Sequence, residues 1–166
     1  MYFWESMIKL NEHIRYQDDF LPKKIINDIY DESLNGAWKK QTSVNEKDVN
    51  WFWELGYNHA QHSELLKTFV NNEVLRIYIN GQSYSQHGDF HHDDGEETYL
   101  IGLNKNWTAE KGGATEFLLE NNTSLSIYPL YNRAIIFNSM IYHRALPNLH
   151  KEDFRMTLAI KTRRKK

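Results

Sequence analysis

The stretch VLRIYINGQSYSQHGDFHHDDGEETYLIGL, residues 74–103, decides the fold class. It contains two short runs rich in β-branched and aromatic residues, VLRIYI (74–79) and ETYLIGL (97–103), with a polar segment between them. Runs of this length and composition, bounded by turn residues such as Asn80-Gly81, are typical of β-strands. The stretch therefore predicts two strands joined by a polar loop.

Further short runs of the same kind follow toward the C-terminus and predict five more strands. They lie at residues 114–119, 124–128, 133–137, 141–145 and 155–162. Many short strands separated by turn residues predict a sandwich of two sheets, and here a jelly roll, the double-stranded β-helix. The fold class is therefore predicted as α+β, mainly β, with N-terminal helices packed on one sheet.

The N-terminal part of the chain has helical periodicity instead. Residues 21–34 place several isoleucines on one stripe, and residues 62–71 predict a second, shorter helix. Residues 37–58, which are polar with tryptophans embedded, read as an irregular segment or flap. We expect one domain over 1–166, with a helical buttress to about residue 72 and a jelly-roll core over about 73–162.

Composition excludes several classes of site and partner. The chain has no cysteine, which excludes disulfides, thiolate zinc sites and iron–sulfur clusters, so any metal must be bound by His, Asp, Glu or backbone oxygen. A net charge of −2 argues against nucleic acid as the main partner, and the basic run 161–166 (KTRRKK) is more typical of a solvated end. Neither a signal peptide nor a membrane-spanning run is predicted, so a cytoplasmic location is expected.

The segment HGDFHHDD, residues 87–94, is a candidate metal site because it packs three histidines and three aspartates into eight residues. A His and an Asp two apart on an extended chain point to the same side, so both can reach one ion. Three pairs satisfy this spacing. They are His87 with Asp89, His91 with Asp93, and His92 with Asp94. On its own the segment is equally compatible with a solvated loop.

A third candidate ligand, His143, lies in an apolar run 50 residues after Asp93. A histidine in such a run is more often a core residue, but two His and one carboxylate are the ligand set of non-haem Fe(II) oxygenases. Arg155 follows at the head of the last predicted strand, and its guanidinium suits a dicarboxylate, with the Thr157 hydroxyl on the same side. The alternative for Arg155 is a structural ion pair.

Five segments together resemble the Fe(II)- and 2-oxoglutarate-dependent dioxygenases, specifically a compact prolyl-4-hydroxylase-like member. They keep the order and spacing of that family and cover roughly residues 74–162. The segments are RIYINGQSYSQHGDFHHDD (76–94), TYLIGLNKNW (98–107), GGATEF (112–117), YPLYNRAIIFNSMIYHRALPN (128–148) and RMTLAIK (155–161).

The resemblance chooses among the three His/Asp pairs. The first ligands of the family stand just before a strand that ends in Leu-Asn, here Leu103-Asn104, and this implies His91, Asp93 and His143 as the metal ligands. It also implies Fe(II), 2-oxoglutarate and dioxygen as metal, cosubstrate and oxidant, with ascorbate as a further candidate cofactor.

The resemblance also implies the cosubstrate contacts. Arg155 would bind the distal carboxylate of 2-oxoglutarate, with Tyr78, Thr157 and Thr115 around it. One departure stands out, since Gly102 occupies a position where some relatives carry a cosubstrate-binding tyrosine. We therefore expect either a wider pocket or a larger share of the binding by Tyr78 and Thr157.

The implied activity is hydroxylation of a substrate, most simply a prolyl or other residue of a peptide or protein. The alternatives are the same chemistry on a small molecule or nucleobase, and a jelly-roll binding domain without turnover. Candidate substrate contacts lie in the loop beside the metal and in the tryptophan-bearing stretch, although these aromatics could equally pack under a flap. They are Tyr84, Phe90, Trp51 and Trp53.

Overall fold

A computed structural model describes residues 7–42, 51–56 and 60–165, and these residues form two antiparallel sheets with helices against the larger one. In chain order the strands of the larger sheet are β1 (Ile8–Lys9), β2 (Ile14–Gln17), β3 (Lys39–Thr42), β4 (Trp51–Gly56), β5 (Glu73–Gln82), β6 (Glu97–Gly102), β9 (Ala134–Asn138) and β11 (Arg155–Arg163). Their spatial order is β1-β2-β9-β6-β11-β5-β4-β3.

The smaller sheet has the order β10-β7-β8, built from β7 (Thr115–Leu118), β8 (Ser124–Ile127) and β10 (His143–Ala145). Two α-helices, α1 (Lys23–Leu34) and α2 (Ala60–Leu66), precede β5. Short 3-10 turns lie at Lys67–Phe69, Ala109–Lys111 and Glu120–Asn122. No described helix is long and apolar enough to cross a bilayer.

Strand β11 shows how the sheet separates its apolar core from its polar interior. Successive side chains of a strand point to opposite faces. Met156, Leu158 and Ile160 join the larger apolar cluster, together with Ile26 and Ile29 of α1. The alternate residues of β11 point the other way, toward the smaller sheet. Because residues 155–162 are all buried, β11 is a central strand with a polar face enclosed between the two sheets.

A second, smaller apolar cluster closes one end of the space between the sheets. Phe117 and Ile127 of the smaller sheet pack there against Ile14, Ile135 and Phe137 of the larger one. The Phe117 and Phe137 rings meet edge to face, with centroids 4.8 Å apart. The polar inner residues of β11 lie beside this cluster. The space between the sheets is therefore apolar at the end that the cluster closes and polar next to it.

The predicted mainly-β fold is confirmed, and each predicted strand after residue 73 is present. The prediction of an irregular segment over residues 37–58 was wrong where the structure describes it, because β3 and β4 pair as antiparallel strands and β4 joins β5. The polar KKQT strand stands at the sheet edge, where charged side chains are tolerated and the apolar alternation of a strand is lost. Strands β1 and β2 were not predicted, since they have only two and four residues.

The basic run at the C-terminus is for the most part the end of β11 rather than a free arm. Lys161 is buried, Arg163 forms a two-point pair with Glu73, and Arg164 pairs with Glu96 at 3.0 Å. Three of the five cations of the run, Lys161, Arg163 and Arg164, are therefore paired with a carboxylate. The run therefore gives little support to a nucleic-acid partner.

Candidate active site

His91 and His143 are brought together by main-chain hydrogen bonds. His91 N donates to His143 O at 3.0 Å, and His143 N donates to His91 O at 3.1 Å. Residues that exchange both bonds are direct antiparallel partners, and their side chains point to the same side. The two imidazole rings accordingly face each other with centroids 4.4 Å apart.

Asp93 completes a group of three possible metal ligands. Two residues beyond His91 on an extended chain, it points to the same side, and its N–H donates to Ser139 O at 2.9 Å. Its carboxylate oxygens lie 3.7 Å from His91 Nε2 and 3.3 Å from His143 Nε2. Within residues 7–42, 51–56 and 60–165 this is the one group of three or more potential ligands whose donor atoms all lie within 4.8 Å of one another.

Each imidazole is oriented by a backbone carbonyl on its far side. His91 Nδ1 lies 2.8 Å from Asp89 O, and His143 Nδ1 lies 2.9 Å from Ile141 O. A carbonyl can only accept, so both Nδ1 atoms carry a proton and both Nε2 atoms are directed toward Asp93. Partial burial, together with the neighbouring His143 imidazole, lowers the pKa of His91 and favours the neutral form that a metal requires.

Lys161 is a member of this cluster that the sequence analysis did not single out. Its ammonium contacts Asp93 Oδ2 and lies 3.3 Å from Thr98 Oγ1, and Thr98 donates to the same oxygen at 2.8 Å. Burial opposes ionisation of Asp93, but His143 and Lys161 beside it more than offset burial and hold the pKa of the carboxyl far below its ordinary value. The site thus contains two imidazoles and an ionised carboxylate, a donor set that fits a divalent metal.

The other two His/Asp pairs do not converge. Asp94 is exposed and pairs with Arg76 at 3.2 Å, while the His92 ring packs on Tyr142 with centroids 3.8 Å apart. His87 is exposed on the loop before the cluster. The alternative that the whole segment is a solvated loop does not describe His91, which pairs with His143, or Asp93, whose N–H donates to Ser139 O.

Arg155 is buried in the polar interior, with 3% of its surface exposed, and no described carboxylate forms an ion pair with it. Its Nη1 donates to Gln82 Oε1 at 2.8 Å, and its Nε has no hydrogen-bond partner. Burial lowers the pKa of the guanidinium to about 10, which leaves it charged at neutral pH. A buried cation with a free N–H is a site for an anion, and a carboxylate fits it.

Other polar groups face the same interior from both sheets. Thr157 is buried two residues along β11 from Arg155, and Asn80 is its direct partner on β5. Thr115 lies on the inner face of β7, which also carries Phe117 of the cluster between the sheets. Thr115 Oγ1 and Asn80 Oδ1 are buried without hydrogen-bond partners. Unsatisfied buried polar atoms are rare in folded chains, and here they indicate room for a polar ligand.

Gly102 and Tyr78 bear on the shape of this interior. A Cβ at Gly102 would lie 2.3 Å from Leu130 O and 2.4 Å from Pro129 O, so backbone already fills the space beside this glycine. The expectation of a pocket widened at Gly102 is therefore wrong. Tyr78 is the direct partner of Ala159 and points inward, and its pKa is raised by burial and by Asp93 nearby. Tyr78 thus belongs to the end of the interior that contains the candidate metal ligands.

The candidate substrate contacts are only partly brought to this end. Phe90 adjoins His91 under the Arg144 guanidinium, 4.4 Å from its ring centroid, and Tyr84 is 46% exposed on the same loop. Trp53 is the partner of Gly81, whose added Cβ would meet Phe154 and Trp38, so it lies on the helix side of the sheet, away from His143. The prediction for the Trp51 side chain falls outside the described residues.

Comparisons with known proteins identify the family and the fold of the chain. The family model described as 2OG-Fe(II) oxygenase superfamily matches residues 74–160. No curated protein matches the sequence. A Pseudomonas putida prolyl-4-hydroxylase is similar in fold, with a TM-score of 0.69 and 15% identity over 93% of this chain and 95% of that one.

Two further solved structures have the same fold at similarly low identity. One is a prolyl hydroxylase from Trichoplax adhaerens in complex with a hypoxia inducible factor peptide fragment, with a TM-score of 0.72 and 15% identity over 92% of this chain and 84% of that one. The other is HygX from Streptomyces hygroscopicus with nickel and 2-oxoglutarate bound, with a TM-score of 0.67 and 9% identity over 89% and 81% of the two chains.

The family match spans 87 of the 166 residues, more than half. The chain therefore belongs to the 2OG-Fe(II) oxygenase superfamily and is a 2-oxoglutarate-dependent dioxygenase similar to prolyl-4-hydroxylases.

Proposed function

We propose that this dioxygenase hydroxylates a prolyl or other residue of a peptide or protein, with iron bound by His91, Asp93 and His143 and 2-oxoglutarate anchored by Arg155. One observation carries the assignment of the cosubstrate site. Arg155 is a buried arginine without a described acidic partner, in the same enclosed interior as three converging metal-type ligands. A dicarboxylate that also chelates the metal satisfies both groups at once.

Each residue has a separate task in this proposal. His91 and His143 would bind the ion through their Nε2 atoms, and Asp93 would supply a negative charge. Bound iron supplies the activation of dioxygen, with 2-oxoglutarate as the reductant. Arg155 binds the distal carboxylate and thereby fixes the orientation of the cosubstrate, and the buried walls around it exclude water from that end.

The openness of the metal end supports a large substrate. The His91 side chain is 48% exposed, although that of His143 is only 5% exposed, so the cluster lies where the interior meets solvent. Two aromatic side chains lie at this edge: Tyr142, whose exposed ring packs on His92, and Phe90, which adjoins His91. Aromatic side chains at an open rim suit the apolar ring of a prolyl residue in a flexible chain. The similar folds of two proteins named as prolyl hydroxylases add support for a peptide substrate.

A peptide-library assay tests the proposed substrate class. Purified protein with Fe(II) and 2-oxoglutarate is expected to add the mass of one oxygen atom to particular peptides, with one succinate formed for each product. Fragmentation spectra would locate the modified residue. Turnover stimulated by small molecules or nucleosides but by no peptide would replace the peptide assignment with the small-molecule alternative. No succinate under any condition would indicate a binding domain.

The variant Arg155→Met tests the cosubstrate anchor. We expect the 2-oxoglutarate concentration for half-maximal turnover to rise about 100-fold, because a charge-assisted contact to the distal carboxylate is lost. The variant should fold, since an apolar side chain of similar volume replaces a buried cation. The control is Arg144→Met, which breaks a pair with Glu116 and leaves Arg155 intact. Initial rates of succinate formation measure both, and an unchanged requirement in Arg155→Met would contradict the assignment.

A further inference from the structure

We propose that Gln82 is a positioning residue, which orients Arg155 and keeps its positive charge uncompensated so that a dicarboxylic cosubstrate can bind. This inference rests on the proposed function. It assigns a role to a side chain that neither the sequence pattern nor the resemblance singled out.

The geometry joins the ends of two neighbouring strands. Gln82 is the last residue of β5 and Arg155 the first of β11, and the two are direct antiparallel partners. Both are almost fully buried, and the Gln82 Oε1 atom accepts from Arg155 Nη1 at 2.8 Å. The main chain at Gln82 is also held, since its carbonyl accepts from Asn148 Nδ2 at 3.3 Å. Gln82 is therefore a fixed acceptor for the guanidinium.

The partner of Arg155 differs from that of every other described arginine. The other six each form an ion pair with a carboxylate, at distances from 2.6 to 3.2 Å. They are Arg15 with Glu97, Arg76 with Asp94, Arg133 with Asp18, Arg144 with Glu116, Arg163 with Glu73, and Arg164 with Glu96. Arg155 is more buried than any of these and has an amide instead.

This choice of partner has an electrostatic consequence. Burying a cation costs free energy, which a carboxylate would offset and an amide offsets only in part. An amide oxygen still fixes the plane of the guanidinium through a hydrogen bond, and it leaves the net charge of the group at +1. A bound ligand with a negatively charged group can then act as the counter-ion of Arg155. A glutamate at position 82 would fill the same volume and satisfy the arginine before any ligand arrived.

The backbone opposite packs closely on Arg155 but supplies no second hydrogen-bond acceptor to its Nε atom. A Cβ at Gly113 would lie 2.7 Å from Arg155 Cδ and 3.1 Å from Arg155 Nε, so only a glycine leaves room for the arginine here. Gly113 also has a φ of +67°, a conformation that disfavours other residues. Gln82 occupies Nη1, and the buried Nε atom has no hydrogen-bond partner in the protein.

The test compares two ligands on two variants. Protein loaded with Mn(II) in place of iron, kept free of oxygen to prevent turnover, is titrated calorimetrically with 2-oxoglutarate or 2-oxopentanoate. The second compound has the same chelating end but no distal carboxylate. In Gln82→Glu we expect 2-oxoglutarate to bind about 100-fold more weakly, because its charge-assisted contact is already taken. Binding of 2-oxopentanoate should change by less than about twofold, because its contacts do not reach Arg155.

Two further variants separate positioning from packing. Gln82→Met keeps the volume but removes the acceptor, and about tenfold weaker 2-oxoglutarate binding is expected from the loss of one hydrogen bond to a charged group. Gln86→Glu adds the same negative charge four residues away and should leave both affinities unchanged. The midpoint of denaturant unfolding should not fall in Gln82→Glu, since the buried arginine gains a counter-ion.

The outcomes distinguish this inference from the proposed function. Wild-type protein that binds Mn(II) but not 2-oxoglutarate would overturn the proposed cosubstrate site and the role of Gln82 with it. Wild-type binding with undiminished affinity in Gln82→Glu would overturn only the role of Gln82. Equal losses for 2-oxoglutarate and 2-oxopentanoate would also overturn it, because they would indicate a distorted metal end. If Gln82→Glu does not fold, unchanged affinity in Gln82→Met decides against the inference.

Discussion

The variant His91→Ala is expected to lose metal-dependent conversion of 2-oxoglutarate to succinate while its free energy of unfolding stays within about 1 kcal/mol of wild type. The loss of function follows because one of the three proposed protein ligands of the metal is removed. Replacing a residue that merely supports a ligand weakens metal binding by about 10- to 100-fold, so loss of a ligand itself should cost at least about 100-fold. Stability is spared because the His91 side chain is half-exposed and leaves no buried group unpaired.

Mn(II) titration followed by its EPR signal measures the metal affinity of this variant, and succinate formation measures its turnover. The matched control is His92→Ala, which removes the adjacent exposed imidazole from its contact with Tyr142. The control should keep the metal affinity and turnover of wild type. Loss of metal binding in His92→Ala, with metal binding by His91→Ala unaffected, would indicate that His92 and Asp94 are the ligands instead.

The variant Asp93→Ala is expected to lose metal binding as well, and in addition to destabilise the metal-free protein by about 3–5 kcal/mol. The reason is Lys161, which is 2% exposed and contacts the Asp93 carboxylate. With Asp93 removed, the buried ammonium keeps only Thr98 as a hydrogen-bond partner. Breaking a buried pair by removing one partner is costly because the remaining charge is uncompensated.

A double variant separates this stability effect from metal binding. Asp93→Ala combined with Lys161→Met removes both charges, and we expect it to recover most of the lost unfolding free energy without recovering metal affinity. Urea denaturation at neutral pH measures the unfolding free energy of four metal-free proteins, which are wild type, Asp93→Ala, Lys161→Met and the double variant. If Asp93→Ala alone were as stable as wild type, the Lys161 ammonium would have to reach water, and the buried pair described above would be refuted.

The strands and the metal-type ligands could be predicted from the sequence because they depend on local pattern. Apolar runs of five to eight residues between turn residues predicted the strands of the jelly roll, and the His91 and Asp93 spacing predicted a shared face. The resemblance selected this pair among three, which the spacing could not do. Only the register of the 83–93 segment against β10 places His91 opposite His143.

Gln82 and Lys161 could not be found in this way, because their roles depend on which strands are neighbours. Asn80-Gly81 was interpreted as a turn, whereas β5 continues through it to Gln82 and so meets the first residue of β11. Lys161 was read as the start of a basic terminus. Lys161 lies on the face of the strand opposite to Leu158 and Ile160, and that position was a usable indication of a buried charge. The partner of this charge could not be identified from the sequence.

For Trp53, a contact with the substrate was predicted from the residue type alone. Its face is set by pairing between β4 and β5, and that pairing turns it toward the helices. Phe52 and Glu54 alternate with it, and Glu54 is the direct partner of Asn80, so these two lie on the inner face instead. No local pattern in a polar segment with three large side chains in a row could have determined which of them point inward.

The reciprocal main-chain bonds between His91 and His143 have a consequence for how the metal is acquired. The spacing of these two proposed ligands is set by peptide groups that need no ion, whereas small zinc domains stay unfolded until the metal binds. Occupancy can therefore change without loss of the surrounding architecture. The metal in the proposed site should therefore be exchangeable, so that Mn(II), Co(II) or Ni(II) binds to the folded protein after the first ion is removed by a chelator. Which ion occupies the site in the cell would then depend on which ions are available and not on the folding of the chain.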